Sequence, residues 1–353
     1  MLNVKKWTCQ VCGMEMPNFY LYCINCGTKR KDAAGWTCEA CGKRVLNEDY
    51  NYCIYCGKKR EKRELLNYFN KANKVLAFRE VERSILQFIN QYRILEKIGS
   101  GELSDVYKAE TPQGKIVALK IPKIKLDFTS SAMFFASFHR EASLWIRLRH
   151  PNIVQVHGYG SHPVPWIVME YMEGGSLMGK LKKGPLDLKV ALKISVQLAD
   201  ALQYAHSRGV VHQDINPKNI LFTRGGVPKI SDFGLSRALI NKTPKQKFFE
   251  GTLISAAPEQ LAPERFGKVD LRTDIYSFGA TLYWMLAGKP PFYKTDTLEH
   301  INSILEEEPA PLHTFNSEIP RELDCILNKA LAKKKEDRYE AVAIIKNELQ
   351  KLL

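Results

Sequence analysis

An acid, an amide and a second acid stand close together past the middle of the chain. Asp214 and Asn219 lie in the run His212-Gln213-Asp214-Ile215-Asn216-Pro217-Lys218-Asn219, and thirteen residues past Asn219 comes Asp232, followed by Phe233 and Gly234. A carboxylate can take a proton from a hydroxyl, while an amide oxygen and a second carboxylate suit a hard divalent cation such as Mg²⁺. That set fits in-line phosphoryl transfer, a reaction that asks a protein for positioning and charge neutralisation more than for covalent chemistry. A different chemistry opens the chain. Eight cysteines form four C-x-x-C pairs, Cys9/Cys12, Cys23/Cys26, Cys38/Cys41 and Cys53/Cys56, with ten residues between the first two pairs and eleven between the last two. Each pair sets thiolates on a tight turn followed by a glycine, and two such turns close one tetrahedral Zn²⁺ site.

Regular elements must hold these groups in place, and the sequence supplies them in order. Ile98-Gly99-Ser100-Gly101-Glu102-Leu103-Ser104-Asp105-Val106 reads as a glycine-rich turn between two strands, with Gly99 and Gly101 letting the backbone approach phosphates. Val117-Ala118-Leu119-Lys120 alternates as a strand does, and Ile167-Val168-Met169-Glu170-Tyr171-Met172 reads as a buried strand running into a hinge. Further on, Asp274-Ile275-Tyr276-Ser277-Phe278-Gly279 opens an apolar helix suited to anchoring the catalytic run.

Taken together, these motifs resemble the eukaryotic-type (Hanks-type) serine/threonine protein kinase domain, whose patterns are H-R-D-x-K-x-x-N, D-F-G, G-x-G-x-x-G-x-V and V-A-I-K. The resemblance covers about residues 92 to 350. It implies an α+β, two-lobed fold with a β-rich N-lobe over 92–169 and a hinge and α-helical C-lobe over 170–353. It also implies ATP and Mg²⁺ as cofactors and a protein substrate. By resemblance Asp214 is the base, Asn219 and Asp232 ligate magnesium, and Lys120 contacts the α and β phosphates. Glu141, nine residues before His150, is its ion-pair partner. Ile98, Gly99, Ser100, Gly101, Val106, Ala118, Met169 and backbone groups of Glu170 and Met172 line the nucleotide site, with Met169 limiting the pocket behind. His212 and Phe233 pack beneath it, Gly251-Thr252 and Ala257-Pro258-Glu259 close an activation segment, and Glu259 pairs with Arg338.

Three positions depart from the family pattern. Ser104 replaces the third glycine of the turn, a small change. Gln213 replaces an arginine that pairs with an activation-segment phosphate in relatives, which predicts activity independent of phosphorylation there, at Thr243 above all. Asn216 replaces a lysine that steadies the γ-phosphate. A preorganised donor aimed at developing charge is worth about 2.7–4 kcal/mol, so a neutral group there predicts a rate roughly tenfold to a thousandfold lower. Lys218 reads as a solvated lysine, not as a stand-in. The competing reading is a pseudokinase, the same fold kept as a nucleotide-binding scaffold or adaptor. Against it stands the survival of Lys120, Glu141, Asp214, Asn219 and Asp232.

The cysteine segment is a tandem repeat. Trp7-Thr8-Cys9 recurs as Trp36-Thr37-Cys38, and Tyr22-Cys23-Ile24-Asn25-Cys26-Gly27 recurs as Tyr52-Cys53-Ile54-Tyr55-Cys56-Gly57. It looks like a double zinc ribbon over 1–60 holding two structural Zn²⁺ ions, used to recruit a protein partner or substrate. Disulfides are disfavoured by the absence of a secretory signal at Met1 to Gln10 and by a reducing cytoplasm, the expected location; rubredoxin-like iron ranks below zinc. Residues 61–91 carry Leu65, Leu66, Phe69, Leu76, Val81, Ile85, Phe88 and Ile89 at helical spacing and predict a helical linker. Cys325 falls in an apolar helical run and is expected in the core.

Composition adds exclusions. No apolar run reaches the roughly 20 residues of a membrane helix. The formal net charge of +14 invites a nucleic-acid reading. Its clusters at Lys29–Lys31, Lys58–Arg63, Lys242–Lys247 and Lys333–Lys335 are scattered over the modules instead of forming one stripe, which disfavours that reading and leaves acidic protein partners compatible.

Overall fold

Alternating apolar residues build a five-stranded antiparallel sheet from β5 (Arg93–Ser100), β6 (Ser104–Glu110), β7 (Ile116–Pro122), β8 (Val156–Gly160) and β9 (Trp166–Glu170), in the order β5-β6-β7-β9-β8. Side chains on a strand alternate between faces, and the two faces pack differently. Ala109, Val117, Leu119, Ile121 and Val168 gather under Tyr92, Ile94, Tyr107 and Trp166. Ala118 and Met169, with Val106 against them, belong to the main core that continues into the helical part. Lys120, two residues from Ala118, is therefore on the face turned toward that core. The structure is a computed structural model that describes residues 6–8, 10, 15–17, 36–37, 44–45, 92–101, 104–123, 138, 142–160, 165–233 and 253–353.

Below the sheet come α1 (Leu177–Leu181), α2 (Leu188–His206), the hairpin of β10 (Ile220–Phe222) and β11 (Pro228–Ile230), α3 (Pro258–Leu261), α4 (Pro263–Phe266), α5 (Leu271–Ala287), α6 (Thr297–Glu306), α7 (Arg321–Ala330) and α8 (Val342–Lys351). The described residues thus form the β-rich and α-helical halves that the sequence predicts. Helix α5 is apolar around most of its circumference and buried from Thr273 to Tyr283 and again at Met285 and Leu286, as such a pattern requires. Asp270 caps its start by accepting from the Arg272 N–H at 2.8 Å, and Gly288, at φ 72°, ends it in the left-handed region. At Gly174 the chain after the sheet runs against the hairpin: a Cβ there would lie 2.4 Å from the Thr223 carbonyl oxygen. The Gly174 N–H donates to the Phe222 carbonyl and the Phe222 N–H to that of Gly175.

The chain divides into two compact units, Met1–Arg83 and Ser84–Leu353. In the first, β1 (Lys6–Thr8) pairs antiparallel with β2 (Glu15–Pro17), and β3 (Trp36–Thr37) with β4 (Arg44–Val45). Cys9 and Cys12 fall in the connection of the first pair, Cys38 and Cys41 in that of the second, so the sequence repeat is matched by a repeated hairpin. All eight paired cysteines and the 61–91 linker lie outside the described residues. Cys325 corrects one expectation. It is exposed, because α7 turns Leu323, Ile326, Leu327 and Ala330 inward and Cys325 occupies the opposite face.

Candidate active site

The catalytic run is held from below by one buried carboxylate. Asp274, in the first turn of α5, accepts from the backbone N–H groups of His212 at 2.8 Å and Gln213 at 2.7 Å, and lies 2.8 Å from His206 Nε2. A carboxylate removed from water needs such donors. His212 is buried, with Nε2 at 2.7 Å from the Ser231 carbonyl and its ring edge-on to Phe233 at 4.6 Å, so the two pack beneath the site as expected. This ties the run to the segment carrying Asp232. Gln213 (φ 67°) and Asp232 (φ 65°) both adopt the left-handed backbone region, a strained conformation that surrounding hydrogen bonds must hold.

Asp214 is gripped by two amides. Asn216 Nδ2 donates to Oδ1 at 2.8 Å, and Asn219 Nδ2 donates to Oδ2 at 2.9 Å; both also reach the Asp214 backbone carbonyl. Burial pushes the Asp214 carboxyl above the ordinary aspartate value, against the opposing pull of His212 and of the two amides. Asn216 is itself buried and its Oδ1 accepts from the Lys218 N–H at 2.8 Å, so both ends of its amide are used within the loop. Lys218 is exposed, in keeping with a solvated lysine.

Lys120 Nζ lies 2.7 Å from Asp232 Oδ2. The other oxygen, Asp232 Oδ1, is buried with no hydrogen-bond partner, and Asn219 donates its nitrogen while its Oδ1 accepts nothing among the described residues. An unpartnered buried oxygen such as Asp232 Oδ1 calls for an explanation. Here an amide oxygen and a carboxylate oxygen of the kind a hard cation takes are left available, so these residues fit magnesium. Glu141, Gly234, Thr243, Gly251 and Thr252 lie outside the described residues, and so do Glu102 and Leu103 of the glycine-rich turn.

Ala118, Met169 and Met172 are buried in the main core with Val106 against it, while Ile98 is 41% exposed on β5 and Gly99 pairs with Val106. The Glu170 N–H donates to the Gln155 carbonyl at 2.9 Å. Its carboxylate takes both the Gln155 N–H at 2.7 Å and Lys229 Nζ at 2.8 Å, tying the end of β9 to β11 and so to the approach to Asp232. At the glycine-rich turn, Ser100 Oγ donates to Asp105 Oδ1 at 2.8 Å, and Lys123 Nζ donates to the Gly101 carbonyl at 2.7 Å. Burial raises the Asp105 carboxyl, but hydrogen bonds from Lys97, Ser100 and Lys123 outweigh it and hold the group below its ordinary value. The Lys229 and Lys123 contacts join residues too far apart in sequence for any local pattern to announce them.

The expected ion pair of Glu259 with Arg338 is present. Both side chains are fully buried, joined by two bonds of 2.8 Å, and Thr273 Oγ1 donates to the same carboxylate. No helix among the described residues is long and apolar enough to cross a membrane.

A family model described as the protein kinase domain matches residues 92–349. The chain is 34% identical over 267 residues to a probable serine/threonine-protein kinase of Clostridium perfringens, covering 74% of this chain and 38% of that one. It is 36% identical over 270 residues to a probable serine/threonine-protein kinase of Clostridium acetobutylicum, and 33% over 270 residues to the serine/threonine-protein kinase PknB of Mycolicibacterium smegmatis. The coverage is 74% of this chain in both, and 39% and 42% of those proteins. The chain therefore spans about two-fifths of the length of these curated relatives. With Lys120 on Asp232, Asp214 between two amides, and the glycine-rich turn above them, the match falls on residues already gathered in one place, and the chain belongs to the protein kinase family.

Proposed function

We propose that this protein transfers the γ-phosphoryl group of ATP to a serine or threonine hydroxyl of a protein. The observation that carries the reading is the half-buried Asp214 carboxylate, oriented by two amides beside the buried, unpartnered Asp232 Oδ1 and an Asn219 Oδ1 that accepts nothing among the described residues. Asp214 takes the proton of the acceptor hydroxyl as its oxygen bonds to the γ-phosphorus and the bond to the departing ADP oxygen breaks. Asn219 and Asp232 would hold magnesium, which would supply charge neutralisation at the phosphates. Lys120 exchanges its contact with Asp232 for the α and β phosphates, and Ile98, Val106, Ala118 and Met169 enclose the adenine with backbone groups of Glu170 and Met172.

Asn216 takes a different part from the lysine it replaces. Its amide is spent on the base and on the loop, so it orients Asp214 and brings no charge to the γ-phosphate. Residues 1–60 act as a double zinc ribbon, with Cys9, Cys12, Cys23 and Cys26 and then Cys38, Cys41, Cys53 and Cys56 each closing one Zn²⁺ site that supplies folding energy. The repeated hairpin and the cysteine spacing support that reading, and the module recruits a partner or substrate in the cytoplasm.

Incubation with γ-labelled ATP, Mg²⁺ and a generic protein acceptor tests the activity. Label on serine or threonine from the wild type, and none from Lys120→Met, is the expected result. Nucleotide binding without transfer by either protein would replace this reading with that of a scaffold.

A further inference from the structure

Gln213, at φ 67°, is the residue before the base, and its peptide groups are clamped from two sides. Its N–H donates to Asp274 Oδ1 at 2.7 Å. Its carbonyl accepts from Gln260 Nε2 at 2.9 Å. Gln260 belongs to α3, and its other amide atom, Oε1, accepts from the Ala257 N–H at 2.9 Å. Its neighbour Glu259 is fixed in the core by Arg338. One neutral side chain therefore joins the segment that ends the activation region to the peptide that aims Asp214, and a buried ion pair holds its base rigid. Gln213 carries no charge, so a phosphate on that region would find no guanidinium at this position.

We infer that Gln260 is a positioning residue for Asp214: its amide bridge holds the catalytic loop in its strained, working conformation and does so without phosphorylation. The inference rests on the activity proposed above. It predicts full activity from protein treated exhaustively with phosphatase. The bridge is directional in chemistry, because only a group that carries a proton can donate to the Gln213 carbonyl. Gln260→Glu keeps the shape and the acceptor for Ala257 but sets a carboxylate oxygen against that carbonyl, whereas protonation of the carboxylate would restore a donor.

The experiment compares wild type, Gln260→Glu and Gln260→Ala, each as the full chain. It measures kcat and KM for ATP across pH 5 to 8, with hydrogen exchange of the peptide carrying residues 210–216. The bridge predicts kcat at least tenfold lower at pH 8 for both variants, with KM for ATP unchanged and faster exchange in that peptide. It predicts that the ratio of Gln260→Glu to wild type recovers toward pH 5, while Gln260→Ala shows no such recovery. Unchanged exchange in that peptide, or a Gln260→Glu deficit that ignores pH, would overturn the inference even if phosphotransfer is confirmed. Faster exchange in the variants of a protein that transfers no phosphate would uphold the bridge and remove the activity reading instead.

Discussion

Asn216 is where residue-level chemistry and family pattern part company, and its geometry sets the first expectations. A hydrogen bond to a charged group is worth about 1.5–3 kcal/mol, so Asn216→Ala should lower kcat about tenfold to a hundredfold by freeing one carboxylate oxygen of Asp214. The same substitution has a signature in pH. Burial already raises Asp214 from the ordinary aspartate value, which moves the acid limb of the activity profile upward; the Asn216 amide favours the ionised form. Removing it should move that limb to still higher pH, and a limb that stays in place would show that the amide does not act on the base. The sign for stability follows. A carboxyl whose folded pKa lies above its unfolded value contributes stability in full below the unfolded value and loses it as pH rises through the folded one, so Asp214 opposes folding at neutral pH. The sequence singled out Asp214, Asn219, Asp232 and the neutral residue at 216, and the structure brings these side chains together around one loop. The sequence did not reveal what Asn216 does instead, because an amide's direction is set by which neighbour is nearest in the folded loop.

At the scale of elements, the join between α3, α5 and the segment before α8 rests on Glu259 and Arg338. Besides the ion pair, the Arg338 guanidinium donates to the carbonyls of Ala332, Arg272 and Lys333. Arg338→Ala should cost about 3–5 kcal/mol in urea unfolding, since it strands a buried carboxylate with one remaining hydroxyl donor. A loss below about 1 kcal/mol, the usual range of an exposed pair, would contradict the burial seen here. Gly174→Ala should cost about 1–3 kcal/mol by overpacking the chain against Phe222 and Thr223, read in the same unfolding experiment. The central strands were legible because apolar residues alternate along them, and the buried helix because it is apolar on nearly every side. Cys325 was misread because an apolar neighbourhood in sequence says nothing of helical phase: the buried face of α7 runs through Leu323, Ile326, Leu327 and Ala330, and Cys325 is turned away from it. The Gln260 bridge was invisible for another reason, since it joins positions 47 residues apart.

For the molecule as a whole, the two units make separate predictions. Metal analysis of the full chain should find two zinc ions, released together by a strong chelator, with the unfolding transition of the 84–353 unit unchanged. Absence of zinc, or iron in its place, would remove the ribbon reading. The kinase part was legible because its landmarks keep their order over a long stretch; the cysteine spacing predicts a metal, which the zinc analysis tests. The central claim is that this catalytic loop, without its usual lysine, still transfers phosphate. It is tested most directly by incubating wild type, Asp214→Asn and Asn216→Lys side by side with labelled ATP and Mg²⁺. Label from the wild type and none from Asp214→Asn is the predicted result; label appearing only with Asn216→Lys would mean that the native loop binds nucleotide as a scaffold and does no chemistry.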